Sequence, residues 1–293
     1  MKNIRLFTII TLINFSCNTA DVKYYNQAYC DTPEDAFKLI HNDLERSYYV
    51  YEPDNPTTAP LPVIINFHGY GGTIDNYIQE ADLRPLVNTK NVIVVYPQGS
   101  CLEGVPHWNA ELPGPDNKST TDDLGFVEAL IGQLSEDYHI DLDRVYACGY
   151  SNGGMMAYAL ACYNSNLIAA IGSMSGVMLD TSESCVPNKA ISLIKIHGTD
   201  DGIIPYFGDN DWNAVNDALN FWVNNNNTNS APELNTIGNI ARYQYLNGTD
   251  GTRVSHYKIF EGEHYWIDFE FDGDDTATLL WNFFDLYDRN GLR

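Results

Sequence analysis

The stretch Arg144-Val-Tyr-Ala-Cys-Gly-Tyr-Ser-Asn-Gly-Gly154 decides how this chain reads. Its first half, Arg144 to Cys148, is a short apolar run stopped by Gly149, and it reads as a buried strand. The segment that follows, Asn152 to Tyr163, is rich in small and apolar residues and reads as a helix. Between them Gly149-Tyr-Ser151-Asn-Gly153 fits G-x-S-x-G. In a strand–turn–helix setting this pattern places a serine at the strand tip, on a sharp turn that glycines permit. Ser151 is the candidate nucleophile. The backbone N–H of Asn152 falls at a helix start, where unpaired amides and the helix dipole favour negative charge, so it is a candidate oxyanion donor.

Working outward, the same alternation recurs. Val63–Phe67, Asn91–Tyr96, Ile168–Met174, Ser192–Ile196 and Ser255–Phe260 are short apolar runs, several closed by Gly or Pro. Ser47–Tyr51 is a Tyr-rich strand, separated from the first core strand by a Pro-rich turn region at Pro53–Pro62. Helical patterns lie at Asp122–Tyr138, Asn152–Tyr163, Asp211–Asn224 and Thr276–Tyr287, with Asp122 or Asp123 as a helix cap. Strands alternating with helices over this length imply an α/β fold with a mostly parallel central sheet and helices on both faces. In that architecture functional groups gather on loops at the carboxyl ends of the strands.

Those loops hold the other candidates. His68-Gly69-Tyr70-Gly71-Gly72 directly follows the Val63–Phe67 run, and the backbone N–H of Tyr70 is the candidate partner of the Asn152 amide. His68 precedes the serine, which is the wrong order for a base in this setting, and reads as structural. After G-x-S-x-G the order should be Ser, then Asp or Glu, then His. Asp200 and Asp201 compete for the acid; Asp201 is preferred because Gly198, Asp201, Ile204 and Pro205 satisfy a G-x-x-D-x-x-(Val/Ile)-P pattern seen in hydrolases of this kind. Beyond them stand His256 and His264. His256 lies inside a strand and reads as sheet packing. His264 lies on the loop after it, beside Gly262, and is the candidate base, because imidazole exchanges protons near neutrality.

Together these segments resemble the extracellular α/β-hydrolases that include polyhydroxybutyrate depolymerases, feruloyl esterases and acetylxylan esterases. Tyr96-Pro-Gln-Gly99, Trp108-Asn109, Asp122-Asp-Leu-Gly-Phe126 and Ser173-Met-Ser-Gly176 add to the likeness, which runs from about Tyr48 to Phe284. One departure is that Ile267-Asp268 follows Trp266 where the family often carries Pro-Gly. The resemblance implies the α/β-hydrolase fold and ester hydrolysis through an acyl-enzyme, with Ser151, Asp201 and His264 as a triad and no cofactor. It also implies that Trp108, Asn109 and Trp266 line the substrate cleft. The expected substrate is a neutral, polymer-linked ester, foremost a feruloyl or acetyl ester of polysaccharide. Poly(3-hydroxybutyrate) depolymerisation is the alternative. The sequence leaves room for neither a linker nor a polymer-binding domain, which tilts the reading to the polysaccharide esters. A catalytically silent binding or surface protein on the same fold is the alternative of another class.

The chain of 293 residues carries a formal net charge of −23, which argues against nucleic acid as a partner, because phosphate binding needs clustered Lys and Arg. No obligate protein partner is inferred. Lys2 and Arg5 precede an apolar run from Leu6 to Phe15, then Ser16-Cys17, too short to span a bilayer but suited to an export signal. The pattern resembles a lipoprotein leader over residues 1–17, with Cys17 as lipidation site; simple cleavage is the alternative. The expected product faces the periplasm or the cell exterior. The expected organisation continues with an N-terminal segment at 18–45 and a catalytic domain at 46–293. Of six cysteines, Cys148 reads as an inert buried thiol and Cys162–Cys185 as a disulfide across one αβ segment, with the pairing of Cys30 and Cys101 left open. No Cys or His spacing suggests a metal site. The acidic run Asp268–Asp275 reads as a solvated loop.

Overall fold

The computed structural model describes residues 30, 33–112, 119–179 and 184–293. The expected leader, Cys17 and half of the segment 18–45 lie outside the described residues.

Ten strands form one sheet: β1 Phe37–His41, β2 Leu44–Tyr51, β3 Leu61–Phe67, β4 Ile93–Pro97, β5 Ile140–Tyr150, β6 Ala170–Met174, β7 Ser192–Gly198, β8 Glu233–Ile237, β9 Ile240–Tyr245 and β10 Val254–Ile259. Their spatial order is β1-β2-β4-β3-β5-β6-β7-β10-β9-β8. The block β4-β3-β5-β6-β7-β10 is parallel, and β2 and β9 join it antiparallel at either side. The expected mostly parallel sheet is present, in the order of an α/β-hydrolase. The antiparallel margins were not foreseen. The sheet starts at Phe37, ahead of the boundary expected at 46, because β1 and β2 form a hairpin through Asn42 and Asp43, both at positive φ.

Along the parallel strands, successive side chains enter opposite cores, as the pleat requires. Val63, Ile65, Val145 and Ala147 face one core with helices α3 Asp123–Asp137, α4 Asn152–Tyr163 and α5 Val215–Asn225. Ile64, Val94, Tyr146 and Cys148 face the other, with α1 Ile74–Glu80, α2 Arg84–Lys90 and α6 Thr276–Phe284. The short helices α1 and α2 have few apolar positions and escaped the pattern reading. Burial of strand residues on both faces, each worth about 2 kcal/mol, explains why the runs read as continuous rather than alternating.

Caps fix the helices that frame the site. The Asp122 carboxylate accepts from the Gly125 amide at 2.9 Å, opening α3. Its neighbour Asp123 forms a buried ion pair with Arg46 of β2 at 2.7 Å, and that guanidinium lies 3.9 Å above the Phe126 ring. Asp268–Asp275 is more than a solvated loop. Glu270–Phe271 and Asp274–Asp275 form a small hairpin that buries Phe271, and Asp275 caps α6 through the Thr278 amide at 2.7 Å. Cys162–Cys185 is a disulfide, and Cys30–Cys101 is a second. Cys148 is a buried free thiol whose pKa burial pushes well up, as suits an inert group.

Candidate active site

The chain order reverses between β3 and β5, so a crevice opens beyond their carboxyl ends. Ser151 stands there, between β5 and α4, with φ 53° and ψ −118°. That left-handed backbone costs a residue with a side chain of order 1–3 kcal/mol. Its surroundings impose it. The Ser151 amide donates to the Met174 carbonyl at 2.8 Å. A Cβ on Gly153 would lie 2.0 Å from the Phe67 carbonyl oxygen, and one on Gly149 would lie 2.5 Å from the Gly153 carbonyl. Glycine at both positions lets β3, the turn and α4 close on one another.

Asp201 follows β7 and His264 follows β10, and because these strands pair in parallel both loops leave the same rim. The Asp200 amide donates to the Gly262 carbonyl and the Glu261 amide to the Thr199 hydroxyl, each at 2.9 Å, which joins the loops. His264 Nε2 then lies 3.0 Å from Ser151 Oγ, and His264 Nδ1 lies 2.7 Å from Asp201 Oδ2. Asp201 Oδ1 accepts from the amides of Ile203 at 2.9 Å and Ile204 at 2.7 Å. Burial alone would raise the Asp201 pKa. Hydrogen bonds from His197, His264 and these two amides outweigh it and hold the carboxyl well below the usual carboxylate range. Asp200, the competitor, is exposed. Tyr150 steadies the His264 loop, its hydroxyl donating to the His264 carbonyl at 3.0 Å and its ring 5.2 Å from the imidazole.

On the opposite wall, Asn152 opens α4, so its backbone N–H has no carbonyl within the helix to bond. Its side chain grips Trp108, accepting from the Trp108 amide at 2.7 Å and donating to its carbonyl at 2.9 Å. The loop carrying Tyr70 is pinned by the Gly71 amide donating to the Pro106 carbonyl at 2.8 Å. His68 braces that loop from beneath. Its Nδ1–H donates to the Gly69 carbonyl at 2.7 Å, and its Nε2 accepts from the Gly99 amide at 2.8 Å. Burial lowers the His68 pKa to about 4, which suits a structural neutral imidazole. His256 is likewise internal, donating from Nδ1 to the Lys195 carbonyl and accepting the Tyr206 hydroxyl at Nε2.

The cleft at Ser151 has a volume of about 570 Å³. Tyr70, Asn152, Trp108 and Asn109 line one part, and Met155, Leu179, Ile203, Ile204 and Trp212 give the rest an apolar character. Trp108 is only 2% exposed and its indole N–H donates to the His68 carbonyl at 3.0 Å, so it forms floor rather than rim. Asn109 is held by its amide, which donates to Asp123 at 2.7 Å.

Trp266 is a correction. It is not among the residues lining the cleft; it packs edge-on against Tyr77 of α1, ring centres 6.1 Å apart, in the opposite core. The chain turns inward after His264, burying Ile267, whose carbonyl accepts the Thr276 hydroxyl at 3.0 Å. Trp266 is thus two residues from His264 in sequence, yet its ring contact is with Tyr77. Trp212 was missed because Asp211 onward reads as helix, whereas α5 begins at Val215. His197, not singled out in the sequence, touches Asp201; its signal was the short spacing His197-Gly-Thr-Asp-Asp201.

A family model described as Esterase PHB depolymerase matches residues 46–203, more than half of the chain. The chain belongs to that family. Among curated relatives of this Esterase PHB depolymerase member, feruloyl esterase D of Neurospora crassa is 29% identical over 175 residues, covering 56% of this chain and 56% of that protein. A bifunctional acetylxylan esterase/xylanase of Neocallimastix patriciarum is 28% identical over 162 residues, covering 55% of this chain and 22% of that protein. The chain thus spans less than two thirds of either relative. Among solved structures, the acetyl xylan esterase from Aspergillus awamori superposes with a TM-score of 0.62 at 16% identity, covering 82% of this chain and 94% of that one. That likeness shows the shared fold.

Proposed function

We propose that this protein is a serine carboxylic-ester hydrolase working through an acyl-enzyme. Ser151 Oγ attacks the ester carbonyl while its proton passes to His264 Nε2. The tetrahedral oxyanion faces the backbone amides of Tyr70 and Asn152. Collapse expels the alcohol, which takes the proton from His264. Water then repeats the sequence and releases the acid, leaving Ser151 free. Asp201 keeps the imidazole in the tautomer that accepts at Nε2 and balances the imidazolium formed. The observation that carries this reading is the chain of contacts from Ser151 through His264 to Asp201, at 3.0 and 2.7 Å.

The proposed substrates are feruloyl or acetyl esters of polysaccharide, with Trp108 and Asn109 on the floor beneath the bound ester. The names of the two curated relatives support this, as does a largely apolar cleft of a size that admits an aromatic acyl group. Poly(3-hydroxybutyrate) is the second reading, favoured by the description of the family model. Export, with Cys17 as a lipid anchor, completes the proposal; two disulfides suit an oxidising compartment.

The test is hydrolysis of p-nitrophenyl acetate. Ser151→Ala should lower kcat at least about 1,000-fold, and full activity in that variant would end the assignment. Methyl ferulate, acetylated xylan and polyhydroxybutyrate offered to the active protein would sort the substrate.

A further inference from the structure

The acid of the site has a second imidazole on it. His197 is the penultimate residue of β7, four residues before Asp201, and is fully buried. Its Nε2 lies 3.1 Å from Asp201 Oδ2 and 2.9 Å from the Ile204 carbonyl oxygen. Both neighbours are acceptors, so Nε2 carries the hydrogen and divides it between them. Asp201 Oδ2 is the same oxygen that meets His264 Nδ1. With the Ile203 and Ile204 amides on the other oxygen, the carboxylate is held from two imidazoles and two main-chain donors.

We propose that His197 is a positioning residue for the proton relay. It fixes the plane of the Asp201 carboxylate so that the remaining lone pair on Oδ2 points at His264 Nδ1. It also tempers the basicity of Asp201, so that the shared proton stays on His264. The proposal rests on the reading above, in which Asp201 orients His264 for Ser151. A buried imidazole that merely filled space would need neither contact. The titratable groups facing this cluster include Lys195 on β7, His256 and Lys258 on β10, Tyr206 on the loop after Asp201, Tyr150 at the end of β5 and His264 itself; Lys258 pairs with His197 across the strands and its ammonium lies 4.7 Å from the Tyr206 ring centre. The Tyr206 ring stands edge-on to His197 at 5.9 Å, and the Lys195 ammonium, in electrostatic reach of Asp201, donates to the Gly176 carbonyl.

The experiment uses the full chain with His197→Met and His197→Phe, which keep bulk and lose the donor, and His197→Gln, whose amide nitrogen sits at the same reach as Nε2. The donor-less variants should lower kcat on p-nitrophenyl acetate about tenfold with KM unchanged. The acid limb of the kcat/KM profile should move to higher pH by about half a unit, because a carboxylate with one fewer donor binds the imidazolium more strongly. The low-field proton resonance of the His264–Asp201 hydrogen bond should move as well, and this readout needs no turnover. His197→Gln should restore most of kcat and return the resonance. Folded donor-less variants with wild-type kcat, profile and resonance would overturn the proposal, as would a Gln variant as impaired as Met. Failure of both donor-less variants to fold would also overturn it, since His197 would then serve folding alone. Activity in Ser151→Ala would sink the reading beneath; a dead Ser151→Ala beside a wild-type-like His197→Met would sink only this inference.

Discussion

The two walls of the cleft are built by different means. On one wall, Ser151 is placed by main chain: a left-handed turn locked by the Met174 carbonyl, with glycines at 149 and 153 against β3. On the other, Asp201 and His264 sit on loops joined by hydrogen bonds among side chains and a few amides. Both walls close backbone on backbone, Gly153 against Phe67 on the first and Gly198 against the Gly262 carbonyl on the second, but only the second also depends on side-chain donors and acceptors. Steric placement alone holds the serine, whereas steric and polar placement together hold the acid and the base.

The largest test of that division is Gly153→Ala. A methyl 2.0 Å from the Phe67 carbonyl oxygen must push β3 from α4, at a cost above about 4 kcal/mol, read as collapse of the melting transition. Across the cleft, Asp200→Ala on the exposed loop should change stability by less than about 0.5 kcal/mol. A soluble Gly153→Ala protein with wild-type melting would erase the contrast.

Acid should act more on the polar wall. Burial lowers the pKa of His197 to about 4 and of His256 to about 3, and of His68 on the steric wall to about 4. An unfolded histidine takes its proton near 6.5, so below that pH the unfolded chain binds protons the native one refuses. Stability contributed by these groups is present above about 6.5 and is lost as pH falls toward 4, at about 1 kcal/mol per pH unit for each. Urea midpoints between pH 7 and 4.5 should show this slope, and His256→Gln should flatten it; an unchanged slope would count against a neutral buried imidazole there.

The smallest effect sharpens where the substrate lies. Trp212→Ala should raise KM for methyl ferulate about tenfold, since it removes apolar lining. Trp266→Ala should leave KM unchanged and lower the melting temperature, because its ring packs on Tyr77. The reverse pattern would return Trp266 to the cleft.

This division also explains what was legible in the sequence. The steric wall announces itself locally: a strand, a turn and a helix lie within Arg144–Tyr163, and glycines mark the close approach. Asp201 and His264 were reachable by chain order and loop position, since strands β7 and β10 end in recognisable signals. Trp266 and Trp212 were not, because which way an aromatic points after a loop depends on distant partners such as Tyr77. The antiparallel pair β8 and β9 escaped for a similar reason. Glu233–Ile237 is exposed throughout and lacks the buried apolar run by which the central strands declare themselves.

The turn at residue 151 owes its shape to atoms other than the hydroxyl. An alanine variant should therefore retain the receptacle and, under the proposed mechanism, have nothing to cleave the guest. Such a protein could be saturated with intact candidate esters and the occupant read directly, turning the question of what the native protein would consume into one of what the emptied cradle will hold.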